Sequence, residues 1–172
     1  MPDYKPKDAI ALLKADHRSV EDLFEQFEKS SGDGKKQKLA LQICAELTVH
    51  AKIEEEIFYP ACEGKVEEDL MREAYVEHDG AKVLIAEIEG GEPSDEYYDA
   101  KVKVLQEQIE HHVEEEEQRL EGMFAQARKA GLDMDALGSE LAARKEQLMT
   151  EIQATGLPKP ELATLTETTI SS

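Results

Sequence analysis

The chain has 172 residues, 34% of them charged and 40% hydrophobic, which suits a single domain with a short appendage and a buried core. Its 39 acidic and 20 basic side chains give a formal net charge of −19, which argues against nucleic acid and anionic membranes as partners, because both require basic surfaces. No apolar run approaches the ~18 residues of a membrane-spanning helix, there is no apolar signal core, and two cysteines make no disulfide framework, so a cytoplasmic location is expected.

Five segments with helical periodicity follow one another between turn signals rich in Gly, Ser, Asp and Pro. They cover about residues 8–29, 35–62, 66–89, 95–129 and 133–153. Within the first, side chains of one face recur at intervals of three and four residues from Ile10 to Phe27, which is typical of an amphipathic helix. The scarcity of Gly (10), Pro (6) and aromatic residues (5%) also favours an all-α fold.

The first four segments predict an up-down-up-down four-helix bundle, because amphipathic helices joined by short connections pack antiparallel. The fifth has a thinner apolar stripe and is expected to pack on the bundle from outside as an additional C-terminal helix. The Thr- and Ser-rich C-terminus predicts a flexible tail, with docking through Leu162, Leu165 and Ile170 as the alternative. The expected domains are residues 1–130 for the bundle, 131–155 for the additional helix and 156–172 for the tail.

A histidine interrupts the apolar stripe of each of the first four predicted helices. These four histidines are His17, His50, His78 and His112. Each lies near the midpoint of its segment, and in an antiparallel bundle of similar helices the midpoints share one layer. The four imidazoles are therefore expected to meet in the centre of the core. Glu54 and Glu116 each follow one of these histidines by four residues, so they project from the same helix faces.

Two carboxylates in an apolar core require partners, because an uncompensated buried charge is unfavourable by several kcal/mol. The predicted stripes contain no Lys or Arg to neutralise them, which favours a metal. Imidazole and carboxylate ligands suit Fe, Mn or Zn. Six ligands exceed one tetrahedral site and fit two metals bridged by the glutamates. The alternative is a metal-free bundle in which the histidines are hydrogen-bonded core residues.

The order of these motifs resembles the hemerythrin-like (HHE cation-binding) family over about residues 8–130. That order is His, then His-x-x-x-Glu, then His, then His-x-x-x-Glu, and it includes the runs Asp16-His17-Arg18 and Glu77-His78. The resemblance implies a non-haem di-iron centre in the core of the bundle. Its implied iron ligands are His17, His50, Glu54, His78, His112 and Glu116, with both glutamates bridging the two Fe ions.

Neighbouring positions add detail to this expectation. His112 is preferred over His111 because it continues the apolar stripe of its helix. Asp16 and Glu77 are predicted to hydrogen-bond the outer nitrogens of ligand histidines, which is how such imidazoles are commonly oriented. The ferritin-like signature Glu-x-x-His does not occur, which argues against a ferritin-like oxidase.

One departure from the family bears on function. Oxygen-carrying hemerythrins have a further histidine four residues before the one that matches His78, and this chain has Ala74 there. Tyr75, Glu73, Glu77 or water remain open as substitutes. The loss of a nitrogen ligand argues against reversible oxygen carriage and predicts an open position for O2, NO or peroxide.

The predicted function is a non-haem di-iron protein that binds or senses a small diatomic molecule or peroxide at a metal site in its core. One alternative is a di-iron enzyme that decomposes peroxide at the same centre. Another is a signalling or interaction module, in which metal occupancy changes the bundle and the tail contacts a protein partner. The sequence leaves open whether the chain is an enzyme.

Overall fold

The structure, a computed structural model, describes residues 8–166, and these residues form α-helices and one π-helical turn. The helices are α1 (Ala9–Lys29), α2 (Asp33–Ile53), α3 (Tyr59–Cys62), α4 (Glu68–Glu89), α5 (Tyr98–Glu117), α6 (Met123–Lys129) and α7 (Met134–Thr155). No β-strand occurs in this part of the chain, so the predicted all-α fold is confirmed. None of the helices within it is both long and apolar enough to span a bilayer.

Four long helices, α1, α2, α4 and α5, pack side by side as the predicted bundle. Each contacts its neighbours in the cyclic order α1, α2, α4, α5. The additional C-terminal helix, α7, lies against the outer side of α1 and α2. Gly138 permits this approach, because a Cβ there would come within 2.9 Å of the backbone of Asp8 and Ala9 at the start of α1. The boundaries of the three expected domains stay a prediction, and Ile170 lies outside the described residues.

Two of the predicted helical segments are interrupted. A π-helical turn, Glu54–Phe58, continues α2 into α3 within the second segment. The fourth segment divides into α5 and α6 around residues 118–122. Four consecutive glutamates end α5, where the helix dipole disfavours negative charge. Gly122 then allows a tight turn, since a Cβ there would lie 2.5 Å from the carbonyl oxygen of Gln118.

The apolar core consists of two clusters at opposite ends of the bundle. One contains Leu13, Ile53, Phe58 and Phe124 and extends to α7. The other contains residues from the far halves of α1, α2, α4 and α5. Buried histidines and carboxylates lie between the two clusters. The bundle therefore places a polar layer at half height, with apolar packing above and below it.

Candidate metal centre

All six predicted ligands are buried in this polar layer, each on one of the four bundle helices or the π turn. The residues are His17 on α1, His50 on α2, Glu54 on the π turn, His78 on α4, and His112 and Glu116 on α5. His17 and His78 lie near the middle of α1 and α4, as the midpoint argument requires. His50 and His112 lie near the C-terminal ends of α2 and α5, because the predicted second and fourth segments are interrupted beyond these residues. The structure thus brings together the whole predicted set.

The first of two donor groups is formed by His17, His50 and Glu116. The Nε2 atoms of the two histidines are 3.2 Å apart, and Oε1 of Glu116 is 3.2 Å from Nε2 of His17. Ligands at the corners of a tetrahedron with bonds of about 2.0–2.1 Å are separated by roughly 3.3 Å. These three atoms therefore have the spacing of ligands around one cation.

The second donor group is formed by Glu54, His78 and His112. Nε2 of His78 is 3.1 Å from Nε2 of His112 and 3.3 Å from Oε1 of Glu54. The glutamates also reach across the layer, since Oε1 of Glu54 is 3.0 Å from Nε2 of His50 in the first group. Each carboxylate is therefore close to both donor groups.

A carboxylate holds the outer nitrogen of every histidine. The Nδ1 atoms donate to Glu117 at 2.6 Å from His17, to Asp16 at 3.0 Å from His50, to Glu55 at 3.0 Å from His78 and to Glu77 at 3.1 Å from His112. An ionised carboxylate only accepts hydrogen bonds, so these partners fix a proton on Nδ1, and in the neutral imidazole the lone pair is then on Nε2. Two neutral imidazoles whose Nε2 atoms face each other are both acceptors, and they require a metal ion or a proton between them.

Two of the four outer carboxylates were predicted and two were missed. Asp16 and Glu77 hydrogen-bond His50 and His112, two of the predicted ligands, each on a helix next to its own. Glu55 and Glu117 were not singled out, although each directly follows a ligand glutamate in the sequence. That adjacency is the signal that could have found them. Three of the outer carboxylates also contact a cation, namely Asp16 with Lys145, Glu55 with Lys82 and Glu117 with Arg18.

The inner carboxylates lack such compensation. Both side-chain oxygens of Glu54 and Oε1 of Glu116 are buried and have no hydrogen-bond partner among residues 8–166. Oε1 of Glu54 and Oε1 of Glu116 lie at ion-pair distance from Nε2 atoms, but these contacts do not have the alignment of hydrogen bonds. Buried polar atoms are nearly always satisfied in native proteins. These three oxygens and the facing Nε2 atoms are the kinds of donor atom that bind metal cations.

The carboxylates of the polar layer favour positive charge on the groups beside them. Burial disfavours charge on His50, but the carboxylates of Glu54 and Asp16 outweigh it and raise its pKa to about 10. Burial likewise opposes ionisation of Glu116, yet His112 and His17 hold its pKa well below the usual value. Glu116 is thus ionised and attracts cations into the layer.

Tyr59 is a buried member of the layer that the sequence reasoning missed. Its hydroxyl donates to Oε2 of Glu116 at 2.9 Å and lies 3.1 and 3.2 Å from Nε2 of His78 and His112. Burial and the nearby glutamates raise its pKa well above the usual value, so the hydroxyl keeps its proton. The π turn explains why α-helical periodicity did not indicate this residue: the backbone N–H of Tyr59 bonds to the carbonyl of Glu54, five residues earlier, and the two side chains share a face.

Other neighbours of the layer lie outside the donor groups. His111 is 66% exposed by side chain and faces Glu115 at 3.1 Å, as expected from its position off the apolar stripe. Tyr75 packs its ring against that of Tyr59 with centroids 5.3 Å apart. Ala74 is buried in an apolar cluster. Tyr59, which was not among the positions considered for a further ligand, presents its hydroxyl to the second group.

Comparison with known proteins agrees with this geometry. The family profile described as hemerythrin HHE cation binding domain matches residues 8–124. A protein from Nostoc sp. described as a DNA nickase is 30% identical over 149 residues, which are 84% of this chain and 42% of that protein. The chain therefore spans less than half the length of this relative. A crystal structure of a hemerythrin HHE cation binding domain-containing protein from Mycobacterium kansasii has a similar fold, with a TM-score of 0.74 at 22% identity over 87% of this chain and 94% of that one.

Proposed function

Because this chain belongs to the hemerythrin HHE cation-binding family, as its motifs predicted, we propose that its polar layer binds two iron ions and takes up O2, NO or peroxide there. His17, His50 and Glu116 would hold one ion, and Glu54, His78 and His112 the other. Glu54 and Glu116 would bridge the two, since each carboxylate is close to both groups. Bound iron would supply redox chemistry and an open coordination position for a small ligand.

The observation that carries this proposal is the set of unsatisfied buried atoms. Three carboxylate oxygens have no hydrogen-bond partner in the described part of the chain, and the two pairs of Nε2 atoms face each other at 3.1–3.2 Å. A metal ion in each group would separate the facing nitrogen atoms and neutralise the carboxylates. Imidazole and carboxylate donors suit iron, manganese and zinc, and the di-iron assignment is the family's expectation.

The protein's own residues orient these donors. The four outer carboxylates hold the imidazole rings, and Phe124 stacks parallel to the ring of His17 with centroids 5.9 Å apart. Tyr59 holds a proton on its hydroxyl beside Glu116 and the second group. A small ligand at that group would therefore meet a buried proton donor.

Metal analysis of freshly purified protein tests the proposal. We expect about two iron ions per chain, as two three-donor groups require, together with an absorption spectrum that changes on addition of NO or peroxide. The Glu54→Gln variant should lose metal, while the exposed-site variant Glu107→Gln should retain it. Protein that stays free of transition metal after anaerobic incubation with Fe(II) would refute the proposal.

Peroxide decomposition is the second candidate, and the position of Tyr59 favours it. A protonated hydroxyl beside the metal donors can give a proton to a departing oxygen. The Tyr59→Phe variant removes that proton without removing a histidine or a carboxylate. Oxygen release from H2O2 that falls in this variant while its iron content stays unchanged would support the enzyme, and equal rates in both proteins would argue against it.

We propose a cytoplasmic site of action and no nucleic-acid partner. Cys44 and Cys62 are both free and buried, which suits a reducing compartment. The net charge of −19 opposes phosphate binding. The activity in the name of the Nostoc relative is not carried over, because more than half of that protein lies outside the match.

A further inference from the structure

A cavity of about 340 Å³ extends from the polar layer to the protein surface between α2 and α4. Its inner end is lined by the four ligand histidines. Its outer end reaches Glu89 and residues 158–161, where Pro158, Lys159 and Glu161 are exposed. The cavity therefore connects the candidate metal centre with the solvent along one side of the bundle.

The cavity is too large for the small ligands considered so far. A diatomic molecule needs a volume similar to the ~30 Å³ share of one water molecule. The observed 340 Å³ is about ten times larger and falls within the range of roughly 300–1,000 Å³ that organic ligands occupy. The space suits an organic molecule next to the metal donors.

The walls indicate the chemistry of that molecule. Apolar side chains from six different parts of the fold face the cavity, among them Val20, Leu47, Ile85, Val113, Met149 and Leu157. Two of the four lysines in the wall have carboxylate partners, because Lys82 contacts Glu55 and Lys145 contacts Asp16, and the wall also contains six acidic residues, which disfavour an anion. Pairing leaves these ammonium groups little attraction for an anion. An uncharged and largely apolar molecule matches this lining best.

The outer wall is the C-terminal segment of residues 156–166, called the strap below. One fully buried carboxylate, Asp79 on α4, anchors it by accepting hydrogen bonds from the backbone N–H groups of Ala163, Thr164 and Leu165 at 2.6–2.9 Å. The hydroxyl of Thr164 donates to the same carboxylate at 2.6 Å. Lys82 also donates to the carbonyl of Glu161 at 2.8 Å.

The strap is attached by polar contacts more than by apolar burial. Only residues 157, 160 and 162 are half-buried, and the other described residues of the strap are exposed. A segment with few buried apolar contacts opens locally at small free-energy cost. The strap can therefore admit a molecule to the cavity without disrupting the bundle beneath it.

We propose that the cavity beneath the strap binds an uncharged, largely apolar organic molecule beside the metal centre. The molecule's role as a partner of the metal centre rests on the proposed function, whereas its binding depends only on the cavity. The strap forms the outer wall of this site, and the ligand histidines form its inner end.

Two fluorescent probes with the same ring system test the predicted chemistry. N-phenyl-1-naphthylamine is uncharged, and 8-anilino-1-naphthalenesulfonate carries one negative charge. We expect the uncharged probe to bind one per chain and the anionic probe to bind on the order of tenfold more weakly, because a sulfonate loses hydration in an apolar wall. Absence of binding by the uncharged probe, or tighter binding by the anionic one, would overturn the proposal.

Matched variants locate the bound probe. Ala86 is a half-buried residue of the cavity wall, and Ala45 is a half-buried alanine outside it. Ala86→Phe should weaken probe binding on the order of tenfold by filling the space, and Ala45→Phe should not. Leu157 belongs to the part of the wall that the strap forms, so a substitution there should leave the bundle folded. Leu157→Glu places a negative charge in the cavity wall and should also weaken probe binding. Unchanged affinity in both Ala86→Phe and Leu157→Glu would show that the probe binds elsewhere and would refute the proposal.

Measuring iron content in the same preparations separates the two proposals. Two irons per chain without probe binding would refute the cavity site and leave the proposed function intact. Probe binding with the expected variant pattern in a chain that takes up no metal would refute the proposed function and leave the cavity site supported. Titrations with metal-free and iron-loaded protein provide both readouts.

Discussion

Replacing Glu54 with leucine is expected to have opposite effects on stability with and without metal. Glu54 is fully buried, and neither of its carboxylate oxygens has a hydrogen-bond partner in the described structure. Without metal the carboxylate destabilises the fold, and an apolar side chain of similar length relieves this. With metal the same carboxylate is a ligand, so its removal eliminates the stabilisation that binding provides.

The expected magnitudes follow from these contacts. A buried polar atom without a partner costs about 1–3 kcal/mol, so the two oxygens together cost about 2–6 kcal/mol. Lost attraction to His50 and His78, at 3.0 and 3.3 Å, offsets part of the gain. We expect Glu54→Leu to raise the free energy of unfolding by about 2 kcal/mol in chelator. Metal at one hundred times its Kd stabilises the wild type by about 2.7 kcal/mol per site, which reverses the order of the two proteins.

Urea unfolding in chelator and in anaerobic Fe(II) measures both free energies. The control is Glu107→Leu, an exposed glutamate on α5, which should change stability by less than about 0.5 kcal/mol in either condition. The reasoning is refuted if Glu54→Leu is less stable than the wild type in chelator. It is equally refuted if Fe(II) stabilises the variant as much as the wild type.

Three further predictions concern residues near the layer. His112→Ala should lose at least half of the bound metal, whereas His111→Ala should keep all of it, and equal losses in metal analysis would contradict the choice of ligand. Asp79→Asn should expose the amides of residues 163–165 to hydrogen exchange while α1 and α2 stay protected, because Asn cannot accept all of the strap's hydrogen bonds; unchanged exchange would show that other contacts hold the strap. Burial raises the pKa of Cys44 to about 12, so iodoacetamide at pH 8 should modify it only after unfolding, and rapid labelling of native protein would contradict its burial.

The parts of the fold and of the site that could be predicted from the sequence all follow α-helical periodicity. The histidine and glutamate positions fall on the same three- and four-residue spacing as the apolar stripes, and helices of similar length bring their midpoints to one height. The same rule distinguishes His112 from His111, because one lies on the stripe and the other beside it. Regular helices thus account for the bundle and for five of the six predicted donors, and Glu54 is the first residue of the π turn.

The parts that the sequence did not predict depend on irregular or long-range contacts. Glu55 and Glu117 orient histidines on other helices, and periodicity within one helix cannot indicate which helix a side chain faces. Asp79 holds backbone N–H groups some 84 to 86 residues later in the chain. Such contacts with main-chain atoms leave no pattern of side-chain types, so the strap and the cavity beneath it required the structure.

The π turn shows how one local irregularity changes the chemistry of the layer. In an α-helix, Phe58 would lie near the face of Glu54, and Tyr59 would be rotated from it by about 140°, since each residue turns the helix by about 100°. The bond from the Tyr59 N–H to the Glu54 carbonyl widens the turn by one residue and brings the tyrosine to the ligand face. Phe58 is thereby left to pack edge-on against Phe124 in the apolar cluster, with centroids 5.6 Å apart. π-helical turns are rare and are often found at functional sites. This one places the hydroxyl of Tyr59 among the predicted metal donors, which gives a reason for its position in the polar layer.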